Sequence, residues 1–116
     1  MLMSLLMRWA IGLSMATLAA WVPGALAAEP VQLVLSQHRF VPSEVTVPAG
    51  ERFRIEVTNQ DPTPSEFESS DLRIEKIVPP ASKVAVSAGP LKPGTYRFFD
   101  DYHPDTATGA ISAVEK

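Results

Sequence analysis

The chain of 116 residues has no cysteine, which excludes disulfides, thiolate nucleophiles and any metal centre built on cysteine sulfur. Methionine does not fill that gap, because all four lie within the first 27 positions. Histidine is limited to His38 and His103. No GxSxG elbow, HExxH helix or phosphate-cradling glycine loop occurs, so hydrolase and transferase chemistry has no carrier. A long apolar run is missing too: the stretch from Trp9 to Val22 covers 14 residues before Pro23-Gly24, short of the roughly 20 that cross a bilayer as a helix.

That short stretch has its own reading. One early cation, Arg8, precedes it and small residues follow, the layout of a secretory signal with Ala25-Leu26-Ala27 as the cleavage box. Residues 1–27 are therefore expected to be a signal peptide and residues 28–116 a single exported domain; one membrane anchor is the alternative. Loss of Arg8 takes the net charge from −3 to −4. A mildly acidic domain has no electrostatic pull toward nucleic acid or anionic lipid.

Beyond residue 28, helical spacing is absent and short alternating or β-branched runs recur between turn residues, as in an all-β sandwich or barrel. Seven strands are expected, over residues 31–37, 44–49, 52–59, 65–69, 83–89, 94–100 and 109–114. Proline falls at or between their ends, where it costs no ladder hydrogen bond. In "RFRIEVT", Phe53, Ile55 and Val57 share one face and Arg52, Arg54, Glu56 and Thr58 the other. One face is dry and one wet, as an antiparallel sandwich requires.

What remains is a gathering of hard ligands. Asp100, Asp101, His103 and Asp105 lie within six residues. Glu66 and Glu68 alternate on a strand, so both project from one face about 6 to 7 Å apart. Carboxylate with imidazole suits Fe, Mn, Zn or Cu(II). Each residue also has a plainer reading. Glu66 and Glu68 face water if Phe67 fills the core, His38 is an exposed turn residue, and Asp100 and Asp101 cap a turn through Asx-type bonds. Asp71 and Glu75 solvate a loop or pair with Arg73 and Lys76.

From "FVPSEVTVPAGERFRIEVTNQD" through "LKPGTYRFFDDYHPDTATGAISAV", nearly the whole exported part resembles a cupredoxin. The resemblance implies a Greek-key β-sandwich with four metal ligands: a histidine after the third strand, then a cysteine, a histidine three later and a methionine five beyond. Laid on this chain, the cysteine position is Asp100, the second histidine is His103, the methionine position is Thr108, and the first histidine is Ser65 or Glu66. Without thiolate and thioether, blue copper is not expected. The hard replacements point to an Fe or Cu ion in a non-blue site.

The segments "EFESSDLRIEKIVPP" and "GPLKPGTYRFFDDYHPDT" resemble more narrowly the small periplasmic cupredoxins of bacterial iron-uptake systems, including the N-terminal domain of the EfeO type. That likeness implies a periplasmic location and, as partners, an inner-membrane iron permease and other periplasmic uptake components. It also implies Asp100, His103, Glu66, Glu68 and Asp101 as metal-site residues, with Glu75 and His38 as outer candidates. An accessory redox step in iron oxidation and a homodimer are open. The alternative is a metal-free sandwich used as a protein-interaction module.

Overall fold

Alternation decides which side of each strand is dry, and two sheets form because both dry sides need a partner. The computed structural model describes residues 29–116, so the expected signal segment lies outside the described residues. Nine strands follow in order: β1 Val31–Ser36, β2 Arg39–Val41, β3 Glu44–Pro48, β4 Phe53–Asn59, β5 Ser65–Ser69, β6 Ile74–Val78, β7 Ser82–Ala88, β8 Gly94–Asp100 and β9 Thr108–Val114. One sheet has the order β2-β1-β4-β7 and the other β3-β9-β8-β5-β6. The pairs β1·β4 and β3·β9 are parallel and all other pairs antiparallel.

The expected all-β sandwich is observed, with two strands more than the sequence pattern indicated. Strand β2 has only three residues and follows a two-residue turn with no glycine or asparagine to mark it. Strand β6 buries only Val78 fully, so its sequence carries almost no apolar alternation; it lies at the sheet edge.

Between the sheets, Leu33, Leu35, Ile55, Val57, Val78 and Ile111 form a dry layer. Three phenylalanines complete it at the end that carries the ligand candidates. Phe40 stands edge-on to Phe98 at 4.9 Å and to Phe67 at 6.0 Å between ring centroids, the geometry that aromatic quadrupoles favour. Gly109 makes room for this cluster: a Cβ there would lie 2.3 Å from the Phe98 ring and 2.5 Å from the Ser43 carbonyl oxygen. Phe98 and Gly109 face each other across β8 and β9, so ring and glycine are one packing unit.

Candidate functional site

Strand β8 alternates inward through Phe98 to Asp100, and both are buried. The Asp100 carboxylate therefore enters the sandwich fully enclosed, at 0% exposure. Its Oδ1 accepts hydrogen bonds from the Glu66 amide (2.9 Å) and the Tyr102 amide (3.0 Å). Its Oδ2 lies 2.9 Å from His103 Nδ1. Burial works against ionisation, yet the Glu66 amide, His103 and the Tyr102 amide together hold the carboxyl below its usual range. An ionised Oδ2 accepts, so Nδ1 of His103 is the donor in this bond.

The hairpin between β1 and β2 closes over this pair. Gln37 and His38 are its two turn residues, with φ of 53° and 56°, the left-handed region that a two-residue hairpin demands and glycine or asparagine usually fills. The buried carboxylate of Asp61 holds the turn, accepting from the Gln37 amide at 2.7 Å and the His38 amide at 3.0 Å. Asn59 positions Asp61 in turn, its Oδ1 accepting from the Asp61 amide at 2.9 Å. The His38 ring lies flat on His103, with centroids 3.7 Å apart and planes 19° apart. Its Nδ1 is buried without a hydrogen bond, 3.6 Å from Asp61 Oδ2.

Glu66 and Glu68 take the other side of β5. Ser65, Phe67 and Ser69 point inward and are buried, whereas the two glutamates are half-buried on the outer face of the sheet. Asp101, one residue past the inward Asp100, is exposed and joins them. Carboxylate oxygens of Glu66, Glu68 and Asp101 all lie within 4.8 Å of one another. Glu75 is the cross-strand partner of Glu68. Desolvation first, and then repulsion from Glu75, Asp101 and Glu68, pushes Glu66 above the ordinary carboxylate range. Glu68 is raised for like reasons, by desolvation and then by Asp101 and Glu75. Among the described residues no salt bridge neutralises this group.

The seven ligand candidates thus separate into two groups on opposite faces of one sheet. Asp100, His103 and His38 stand inside and at the rim, while Glu66, Glu68, Asp101 and Glu75 stand outside. A single shell joining Asp100 and His103 to Glu66 or Glu68 does not form, because a strand sends neighbours to opposite faces. The two groups share backbone: the Asp101 amide donates to the Glu66 carbonyl at 2.9 Å, and the Glu66 amide donates to Asp100. Asp100 is therefore a positioning residue beneath the outer carboxylates. Its bond to the Tyr102 amide is also the Asx-type turn expected as its plainer role. Asp71 accepts from the Arg97 amide at 2.8 Å and forms no salt bridge with Arg73.

Sequence reasoning passed over Asp61, Asn59 and the role of Ser65. An Asx residue ahead of Pro62 is the signal that marks Asp61 as a turn builder. Ser65, one of the two residues that fall at the first-histidine position, is fully buried, and its hydroxyl has no hydrogen-bond partner among the described residues.

The copper-type position fails a fit test on its own geometry. No thiolate is available, and both Asp100 oxygens are already engaged by protein donors. The 2.9 Å separation of Oδ2 and Nδ1 is that of a hydrogen bond. Thr108, at the methionine position, is exposed and paired with Phe99. A type 1 copper centre has no donor set here.

Comparison with known proteins agrees with the architecture. An uncharacterised protein of Rickettsia prowazekii (strain Madrid E) is 46% identical over 81 residues, 70% of this chain and 65% of its own length. The chain thus spans under two thirds of that relative. Amicyanin from Paracoccus versutus superposes with a TM-score of 0.59 at 16% identity, over 78% of this chain and 87% of its own. A purple cupredoxin from Nitrosopumilus maritimus does so with a TM-score of 0.55 at 16% identity, over 72% and 99%. At such identities these two speak for the fold. The family model of the cupredoxin-like domain matches residues 4–113, and with the sandwich topology described above the chain belongs to that family.

Proposed function

We propose that this protein is an exported, non-blue metal-binding cupredoxin that handles an iron ion or Cu(II) in the periplasm for an inner-membrane iron permease. One observation carries the metal reading: the carboxylates of Glu66, Glu68 and Asp101 converge to within 4.8 Å with no cationic side chain among the described residues in a salt bridge to them. Hard oxygen donors of this kind suit Fe, Mn or Cu(II) ions, not Cu(I). Glu66 and Glu68 already resist ionising together, and a bound cation offsets that repulsion. Glu75 stands beside the group, across from Glu68. Asp100, clamped by His103, fixes the backbone that carries Glu66 and Asp101. The iron-uptake setting rests on the resemblance of residues 66–80 and 89–106 to the EfeO-type proteins, and the ion is cargo or a redox centre in that setting.

The test is calorimetric titration of residues 28–116 with Fe(II), Cu(II) and Zn(II). At least one ion is expected to bind more tightly than about 1 mM, roughly 4 kcal/mol. Glu66→Gln with Glu68→Gln should abolish that binding. Absence of binding, or equal affinity in the double variant, removes the metal reading. It would leave the second one, a metal-free interaction module, which one observation favours: Ile77, 45% exposed, is an apolar residue standing beside Glu66 on the outer face.

A further inference from the structure

Where β2 crosses toward β3, the two sheets meet at a cleft of about 440 Å³ that plays no part in the carboxylate site. Arg39, from one sheet, and Arg97, from the other, both line it, with the hydroxyls of Ser43, Thr106 and Thr108 between them. Both arginines are exposed, and neither forms a salt bridge among the described residues. Among the described residues Glu44 is the single carboxylate on the lining. The space exists because the residues behind Arg97 are small: Ala110 is its partner across β9, and Gly109 follows from the packing of Phe98. The Ala110 amide donates to the Ser43 carbonyl at 2.8 Å, which fixes the corner against β9.

We propose that this cleft binds a small oxyanion carrying two or more negative charges, of the polycarboxylate or phosphate class. Two guanidiniums present forked N–H donors that match carboxylate and phosphate oxygens two at a time. Three hydroxyls supply further donors that adjust by rotation. Two cations against one carboxylate leave the lining net positive on a domain whose net charge is −4 once Arg8 is lost with residues 1–27, so the anion is drawn to this place by local charge alone. The volume lies within the range of small-molecule sites and far exceeds what a halide fills. Thr106 belongs to the loop that also carries Asp101 and His103, and Thr108 opens β9 directly after it, so an anion held here sits next to that loop.

The test uses the exported domain, freed of metal, titrated calorimetrically and by amide chemical shifts with citrate, inorganic phosphate and chloride. Citrate or phosphate should bind one to one and chloride should not saturate; which of the two binds identifies the source. The double variant Arg39→Gln/Arg97→Gln should weaken binding about tenfold or more, since charge-assisted forks are lost. Arg54→Gln, an exposed arginine on β4 that does not line the cleft, should leave it within about twofold. Because both replaced residues are exposed, far-UV dichroism should be unchanged. No saturation up to about millimolar anion, equal affinity in the double variant, or an equal loss in Arg54→Gln would overturn the proposal. Metal titration of the same proteins is a separate readout, so its failure is distinguishable from failure here.

Discussion

Replacing Asp100 by asparagine keeps the side-chain volume and removes only the charge, which makes it the sharpest probe of the buried carboxylate. In the native protein three donors converge on it: the Glu66 and Tyr102 amides and His103 Nδ1, at 2.9, 3.0 and 2.9 Å. Hydrogen bonds to a charged acceptor contribute about 1.5–3 kcal/mol each and neutral ones about 1. Asparagine retains two of the three as neutral bonds and sets its NH2 group against His103. Part of the loss is recovered because no charge is buried. A net cost of about 2 kcal/mol results, or about 8–16 °C in Tm for a domain of this size. The pH dependence separates this origin from general damage. A carboxyl whose folded pKa is depressed stabilises the fold fully above its unfolded pKa and loses that contribution as pH falls through the folded value. The gap between native and variant should therefore be full at pH 7 and shrink below about pH 4. Urea unfolding followed at both pH values is the assay. A loss under about 0.5 kcal/mol at pH 7, or one unchanged in acid, would refute the reasoning.

The outer carboxylates should give the opposite slope. Glu66 and Glu68 have raised folded pKa values, so their contribution is full below the unfolded pKa and is lost as pH rises through the folded one. The metal-free domain should melt lower at pH 7 than just above pH 4, and a bound divalent ion should flatten that difference in a thermal-shift series. Gly109→Ala should lower the urea midpoint by the equivalent of about 1–3 kcal/mol, because its Cβ meets the Phe98 ring and the Ser43 carbonyl at 2.3 and 2.5 Å; a neutral effect would contradict the packing. Asp61→Ala should cost about 2–4 kcal/mol, since two turn amides lose a shared acceptor, and hydrogen exchange at Gln37 and His38 should rise with it.

Much of the sandwich was legible because its strands obey alternation. "RFRIEVT" announced its dry residues, and Phe53, Ile55 and Val57 are all buried. Strand β2 escaped because its turn is built from Gln37 and His38, whose left-handed backbone is imposed by Asp61 from another loop. No local propensity records that. The ligand candidates were legible as residue types but not as a geometry. Asp100 and Asp101 are neighbours in the chain, yet one is dry and one wet, and only the pairing of β8 with β5 decides which. Glu66 and Glu68 were correctly placed on one face of β5 by spacing alone.

The histidine stack has a consequence for kinetics. His38 and His103 come from opposite ends of the domain sequence, and their rings touch only after β1 and β2 have docked on the loop that follows β8. Such contacts between distant positions form after the chain entropy of closing the intervening segments has been overcome, and a fold with parallel β1·β4 and β3·β9 pairs is already rich in them. The stack is therefore expected among the last events on the folding path. Its removal should leave the folding limb of a chevron plot nearly unmoved and steepen escape from the native state, so that the two rings govern how long the protein stays folded more than how fast it gets there.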